Sequence, residues 1–122
     1  MSVRLVYSPA AVRDLERVWD EVFAASADAE TADGYLEALR EAIRAKTEFP
    51  RSGRPVEYCG LFTGFYLVRC KAYSAFYRVR EDRMEAARVL FFRQDYMAVL
   101  FGGADPGDSG DSSEDRKDGR FL

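Results

Sequence analysis

The stretch spanning residues 53–96 constrains the fold more than any other part of the chain. It contains three strand-like runs at residues 64–69, 76–79 and 89–92, each rich in aromatic or β-branched residues. The connections between them are too short for the crossover that parallel neighbours require, so the runs are predicted to form an antiparallel meander. The run at 89–92 is apolar on both faces, which favours a central position in a sheet.

Two amphipathic helices are predicted to cover one face of this sheet. A short strand near the N-terminus is followed by Ser8-Pro9, a cap and first-turn pair that begins a helix over about residues 9–25. A second helix runs to about residue 48 and is an antiparallel neighbour of the first. Gly34 within it is interpreted as a point of close helix–helix approach. The apolar stripes and the last strand predict a core of Val12, Leu15, Trp19, Phe23, Leu36, Leu39, Ile43, Val89 and Leu90.

The predicted architecture is a single α+β domain over residues 1–101, a two-helix antiparallel hairpin packed on a twisted, mainly antiparallel β-sheet. A chain of 122 residues that is 48% hydrophobic can form one core of this kind. Residues 102–122 are rich in Gly, Ser and Asp, bury too little apolar surface to fold, and are predicted to be a disordered acidic tail. The alternative is that this tail folds back over the basic sheet.

The charge is distributed unevenly along the chain. Residues 44–95 carry eleven Lys or Arg and six acids, whereas residues 1–43 carry four Arg and nine acids. The basic middle indicates an acidic partner, either protein or nucleic acid. Cys59 and Cys70 form no CxxC motif and the chain has no histidine, so neither a metal nor a cofactor is expected. Without a membrane-length apolar run or a signal-peptide pattern, the expected location is cytoplasmic.

Two motifs at a fixed separation carry a family resemblance. They read Phe49-Pro50-x-x-Gly53-Arg54-Pro55 and Phe76-Tyr77-Arg78-Val79, and Arg93-Gln94-Asp95 follows. With the order of elements around them, they resemble the RelE/ParE superfamily of type II toxin–antitoxin toxins, and within it the ParE-like branch. The resemblance implies a toxin that binds and poisons DNA gyrase. It also implies a ParD-like antitoxin that holds the toxin inactive in a hetero-oligomer.

The resemblance leaves two alternatives open, and the first is a ribosome-dependent mRNA endonuclease of the RelE type. Such chemistry needs a base, an acid and a cation that stabilises the charged phosphorane. The arginine of RelE-like enzymes, three positions before the strand tyrosine, falls at Ser74, and a histidine of some members falls at about Asp95. A nuclease would have to use Arg69, Lys71, Arg93 and Tyr96, so non-enzymatic inhibition is favoured. The second alternative is an orphan module that binds its antitoxin without being toxic.

Two partner surfaces are predicted from the resemblance and the charge. An acidic amphipathic antitoxin segment is expected to fold into a groove between the helix hairpin and the sheet, rimmed by arginines. The predicted antitoxin-binding residues are Arg51, Arg54, Arg69, Arg78 and Arg88. Residues 96–101, interpreted as a turn or two of helix or a further strand, supply most of the predicted target-binding residues, which are Arg93, Tyr96, Met97, Leu100 and Phe101. No membrane and no specific DNA sequence is expected to bind this chain directly.

Overall fold

The computed structural model describes residues 3–102, in which two long helices cover one face of a five-stranded sheet. In chain order the elements are β1 (Arg4–Tyr7), α1 (Pro9–Ser26), α2 (Ala29–Ala45), a 3₁₀ turn (Pro50–Ser52), β2 (Arg54–Tyr58), β3 (Leu61–Cys70), β4 (Tyr73–Arg80) and β5 (Arg83–Phe91). The predicted α+β fold is confirmed. The predicted disordered tail lies outside the described residues, apart from its first position.

The strand order across the sheet is β1-β5-β4-β3-β2. The strands β2 to β5 form the predicted antiparallel meander. β1 joins it in parallel to β5, with Arg4 opposite Arg83 and Tyr7 opposite Ala86. A parallel pair needs a long crossover, which the helix hairpin and the other strands supply. β1 and β2 are therefore the two edges of the sheet.

Ser8 fixes the start of α1 to β5, an interior strand of the sheet. Its Oγ accepts a hydrogen bond from the amide of Ala11 at 3.0 Å, which caps the helix as predicted. The same hydroxyl donates to the carbonyl of Ala87 at 2.8 Å, and the Ser8 amide donates to the carbonyl of Ala86 at 2.9 Å. The turn between β1 and α1 is thus held by backbone groups of β5 just where β1 ends.

The buried side of α1 is rotated away from the predicted stripe. Val12 and Phe23 were predicted to be buried, but they are 44% and 41% exposed, and Trp19 is half-buried. At 3.6 residues per turn, Val12 and Phe23 lie roughly 60° and 80° around the helix from Leu15, on the side away from Val18. The six other predicted core residues are confirmed as buried, namely Leu15, Leu36, Leu39, Ile43, Val89 and Leu90.

α2 differs from its prediction in two respects. A Cβ at Gly34 would meet no atom within 4 Å, so this glycine does not mark a close approach of the helices. The helix also ends at Ala45, about three residues early. The cause is Thr47, whose hydroxyl and amide both donate to the carbonyl of Arg44, at 2.7 and 3.0 Å, and so close the last turn.

The hairpin of β2 and β3 is longer than predicted. The first strand-like run was placed at residues 64–69, but β3 already begins at Leu61, and only Cys59 and Gly60 form the turn that joins it to β2. Both turn residues have positive φ, 54° and 78°, as a two-residue type I′ turn requires. The usual Asn-Gly or Asp-Gly signal is replaced here by Cys-Gly, which hid the turn in the sequence.

The helices α1 and α2 and the five strands belong to a compact unit that ends at Phe92, and the described residues from Arg93 onward belong to a second unit. Within the second unit, residues 96–97 are helical and Ala98–Gly102 continues as a π-helix. Asp95 holds its start, since its carbonyl accepts from Val99 and its carboxylate from Ala98, both at 3.3 Å. Of the two interpretations of residues 96–101, helix is therefore confirmed over strand. The predicted domain boundary after Phe101 stays a prediction.

Candidate functional site

The two motifs of the family resemblance contact each other. The Tyr77 hydroxyl, on β4, donates to the carbonyl of Pro50 at 2.7 Å. A Cβ at Gly53 would overlap that hydroxyl and lie 3.2 Å from the Cβ of Tyr66. The ring of Tyr77 stacks on that of Tyr66 with centroids 5.5 Å apart. Burial raises the pKa of Tyr77 to about 12, with a smaller raising effect from Tyr66 and a lowering one from a hydrogen bond with the Gly53 backbone. These contacts hold the loop that carries Arg51, together with Arg54 at the start of β2, against the sheet.

Asp14 is a buried carboxylate of α1 and is not among the residues that the apolar stripe predicted to be buried. It is 1% exposed and accepts hydrogen bonds from Arg88 Nε at 2.7 Å, Arg88 Nη2 at 3.0 Å and the Val89 amide at 2.9 Å. Arg17 adds a contact at 3.0 Å from the solvent side. The residues next to Asp14 in sequence do not indicate that it is buried, because its partners Arg88 and Val89 lie more than seventy residues away.

The five predicted antitoxin-binding arginines differ in their surroundings. Arg51, Arg54 and Arg69 are exposed. Arg78 pairs with Glu85 at 2.8 Å, and Arg88 is engaged with Asp14 as described. The first three therefore present their charge to solvent, whereas the other two already neutralise carboxylates of the same chain.

Ser74, which stands where RelE-like enzymes have an arginine, is a buried residue of β4 directly opposite Arg69 on β3. The Arg69 guanidinium lies over the ring of Phe92, 4.3 Å from its centroid, and the Lys71 ammonium lies 5.3 Å from the centroid of Tyr35. The two cations thus rest on different aromatic rings. The other nuclease candidates, Arg93 and Tyr96, belong to the second unit.

Sequence reasoning did not anticipate a hydrogen bond between a tyrosine of β4 and an acidic residue of α1. The Tyr73 hydroxyl donates to Glu21 Oε1 at 2.6 Å and so ties β4 to α1. Burial, and then this hydrogen bond and the carboxylate charge, raise the pKa of Tyr73 above its usual value. Arg17 reaches Glu21 at 3.7 Å, so Asp14, Arg17 and Glu21 form a row of alternating charges along α1. The arrangement holds the phenol protonated and serves packing.

A groove of about 420 Å³ opens between the two helices and β1. Its lining residues are Tyr7, Val12, Leu15, Glu16, Trp19, Asp20, Leu36 and Arg40. The exposed Val12 and the half-buried Trp19, which depart from the predicted core, both face it. Burial raises the pKa of Tyr7 there, and the nearby Arg40 and Arg44 partly offset that rise.

The rim of this groove differs from the predicted one. None of the five predicted arginines lines it, and its charged lining residues are Glu16, Asp20 and Arg40. The Trp19 indole donates to Asp33 Oδ1 at 2.8 Å, which holds the ring at the mouth between the helices. The apolar groove and the exposed arginines are thus separate features of the surface. Sequence reasoning assigned Leu15, Leu36 and Trp19 to the core and missed the pocket that they border.

The predicted target-binding residues lie in the second unit. Tyr96, Met97 and Leu100 are partly buried, and Arg93 and Phe101 are exposed. Among residues 3–102 no group of three or more Cys, Asp or Glu side chains is placed to hold a metal ion. Cys59 and Cys70 are free thiols. No helix in the described part of the chain combines the length and apolar character needed to span a bilayer.

The family model and the sequence relatives that match this chain indicate the same family. Residues 5–96 match the family model described as the ParE toxin of the type II toxin-antitoxin system parDE. Toxin ParE1 from two strains of Mycobacterium tuberculosis, CDC 1551 / Oshkosh and ATCC 25618 / H37Rv, is 33% identical over 96 residues. That alignment covers 78% of this chain and 95% of the relative.

Solved structures support the same fold. The chromosomal ParDE system from P. aeruginosa has a chain with a TM-score of 0.63 and 19% identity, covering 74% of this chain and 96% of its own. The YoeB/ParE toxin from Agrobacterium tumefaciens aligns with a TM-score of 0.51 and 21% identity, covering 72% and 96%. These likenesses show the fold, while the matched family model and the ParE1 relatives show the kinship. The chain belongs to the ParE toxin family of type II toxin–antitoxin systems, within the RelE/ParE superfamily.

Proposed function

We propose that this ParE-family toxin acts in the cytoplasm by binding DNA gyrase and stabilising DNA breaks, and that a ParD-like antitoxin neutralises it. The family match over residues 5–96 is the observation that carries the proposal. The toxin and its antitoxin form a hetero-oligomer, and the chain needs no metal or cofactor for this action.

The side chain at position 74 favours a toxin that binds its target over one that cleaves RNA. A serine cannot supply the positive charge that offsets a phosphorane, and loss of one such donor costs on the order of 10²–10³ in rate. Arg69, directly opposite, is the nearest cation in the ladder, but it belongs to the neighbouring strand β3 and does not occupy the position of the RelE-like arginine. A surface of this kind is better suited to holding a partner than to cutting one.

The antitoxin segment is proposed to place its apolar side chains in the groove between α1, α2 and β1. Leu15, Leu36 and Trp19 give the groove an apolar floor, and Val12 extends it at the surface. Arg40 is placed to receive one acid of the segment. A short segment that folds on binding can use such a groove through a few apolar anchors.

The exposed arginines Arg51, Arg54 and Arg69 are proposed to take further acids of the antitoxin. Their charges raise the association rate and the specificity more than the net affinity. Arg78 and Arg88 are left out of the proposed surface, because pairing them with the antitoxin would break their ion pairs with Glu85 and with the buried Asp14.

The target surface is proposed to include the short helix that begins at Tyr96. Met97, Leu100 and Phe101 supply its apolar side chains, and Arg93 precedes it. Such a mixture of aromatic, aliphatic and arginine side chains is typical of the residues that dominate protein interfaces.

Expression of the toxin without antitoxin tests this proposal in cells. The expected result is gyrase-dependent DNA breaks with intact messages. Codon-phased cleavage of messenger RNA on ribosomes would contradict it and would make Arg69, Lys71, Arg93 and Tyr96 catalytic candidates. The variants Arg69→Ala and Lys71→Ala provide the control, since both should remain toxic if no RNA chemistry is involved. Absence of breaks and of cleavage would indicate an orphan antitoxin-binding module.

A further inference from the structure

The turn of the β2–β3 hairpin carries a cluster of exposed apolar side chains, which we call the hairpin tip and define as Tyr58, Leu61 and Phe62. Leu61 is 71% exposed, and Phe62 and Tyr58 are each more than half exposed. Three large apolar residues within five positions at a protruding turn are unusual for a surface that only faces water.

The hairpin around this tip is almost uncharged. Between Pro55 and Val68 the sequence has a single charged residue, Glu57, although about a third of the whole chain is charged. The basic side chains Arg54 and Arg69 flank that stretch at the base of the hairpin. The hairpin therefore presents an apolar end with positive charge behind it.

The backbone of the hairpin is held rigidly. The Thr63 hydroxyl donates to the carbonyl of Val56 at 2.8 Å and accepts from the Phe65 amide at 3.2 Å, which fixes the bulge in β3. The Phe62 ring packs against Tyr66 at 5.2 Å, and Tyr66 stacks on the buried Tyr77. A tip ordered in this way loses little conformational freedom on binding, which favours affinity.

A second copy of the chain is a poor match for this hairpin. β2 is an edge strand, but Pro55 lacks an amide hydrogen, which discourages edge-to-edge pairing, and the register between β2 and β3 shifts between Pro55 and Glu57. The tip itself offers roughly 300 Å², given that an aromatic side chain buries about 150–250 Å², whereas a stable interface needs about 800 Å² per partner. A small apolar tip is therefore better suited to a pocket in another protein than to a flat interface with a second copy of this chain.

The tip and the antitoxin groove lie at different places on the sheet. The groove is lined by β1 and the two helices, whereas the tip extends from β2 and β3. β1 and β2 are the opposite edges of the sheet. Substitutions in one feature can therefore be made without touching residues of the other.

We propose that the hairpin tip is an anchor that this toxin inserts into an apolar cleft of its target protein, with acidic residues at the rim of the cleft that face Arg54. The inference rests on the proposed function in one respect, namely that the protein that accepts the tip is the target of the toxin. It adds a contact surface distinct from the helix that begins at Tyr96.

The variants Leu61→Ser and Phe62→Ser test the anchor, and Phe49→Ser is the matched control, because Phe49 is 74% exposed and lies outside the hairpin. Binding to purified gyrase and to the antitoxin, thermal unfolding and growth arrest are measured for each. We expect the tip variants to lose gyrase affinity by roughly tenfold to a hundredfold, as truncation of an interface hot spot does. Antitoxin affinity and the melting temperature should match the Phe49→Ser control.

Several outcomes overturn the anchor. Unchanged target binding and growth arrest in the tip variants would do so, and so would an equal loss in the control or a loss of antitoxin affinity instead. A wild-type dimer that Leu61→Ser makes monomeric would assign the tip to self-association. Flotation of the wild type with phosphatidylcholine vesicles would assign it to lipid.

Failure of the anchor can be told apart from failure of the gyrase proposal. If the wild type arrests growth without binding gyrase, and only the tip variants are harmless, the anchor stands and gyrase is the wrong target. If the wild type poisons gyrase and the tip variants do so equally, the anchor is wrong and the gyrase proposal stands. A wild type that neither arrests growth nor binds gyrase overturns both.

Discussion

Gly53 is packed so closely against Tyr77 that even a methyl group there would overlap the phenol oxygen. We expect Gly53→Ala to lower the free energy of unfolding by about 1–3 kcal/mol, the usual cost of overpacking. In a Tyr77→Phe background the same change should cost less, because the hydroxyl that it strikes is gone. Denaturant unfolding of the wild type, the two single variants and the double variant measures the coupling between the two substitutions. Additive effects of the two substitutions would contradict the proposed packing.

Asp14 is the residue on which the junction of α1 and β5 depends. Asp14→Ala leaves the Arg88 guanidinium and the Val89 amide without their acceptor. Because Arg88 remains partly exposed, we expect a loss of about 3 kcal/mol, the low end for breaking a buried pair. Arg17→Ala is the control. It removes the more exposed contact to Asp14 and the 3.7 Å contact to Glu21, and should change the free energy of unfolding by less than about 1 kcal/mol. Equal losses in the two variants would contradict this account.

The buried tyrosines predict a loss of stability at alkaline pH. Burial raises the pKa of Tyr77 from 10.0 to about 12, so the unfolded chain gives up this proton more readily than the folded one. The contribution is complete below pH 10 and is lost as the pH rises from 10 toward 12. The pKa of Tyr73 is shifted in the same direction. Unfolding measured across this range should show a smaller decline for Tyr77→Phe than for the wild type. An identical decline would contradict it.

At the scale of elements, the sequence predicted the order of strands and helices because their signals are local. Ser8-Pro9 marked the start of α1, and runs of aromatic and β-branched residues marked β4 and β5. The rotation of α1 was missed because Val12 and Asp14 exchange their expected roles. Asp14 is buried by partners on β5 that are distant in sequence, and Val12 borders a groove rather than the core. The spacing of apolar residues along α1 predicts neither the buried position of Asp14 nor the groove beside Val12.

The groove between the helices gives a prediction at the same scale. Val12→Glu places a charge in the apolar lining at an already exposed position, so we expect folding to be preserved and antitoxin affinity to fall by roughly tenfold or more. Ala24→Glu adds the same charge at an exposed position of α1 that does not line the groove. Calorimetric titration with the antitoxin compares the two. Equal affinities in the variants would place the antitoxin elsewhere.

At the scale of the whole molecule, the sequence predicted the family and the fold but mixed two surfaces into one. The five arginines were assigned to the rim of an apolar groove, whereas the groove is lined by Arg40 together with Glu16 and Asp20. Exposed arginines are visible in a sequence, but a groove depends on how α1, α2 and β1 diverge. Arg78 and Arg88 show the same limit, since their partners Glu85 and Asp14 are identified only by the register of β4 and β5 and the docking of α1.

The central claim is that the toxin acts by holding gyrase rather than by cutting RNA. The most direct measurement incubates the purified toxin with purified gyrase, ATP and supercoiled plasmid, and in parallel with ribosomes programmed with a defined message. We predict that cleaved plasmid accumulates only when gyrase is present, that the antitoxin prevents this, and that the message stays intact. Unbroken plasmid together with a message cut on the ribosome would contradict the claim.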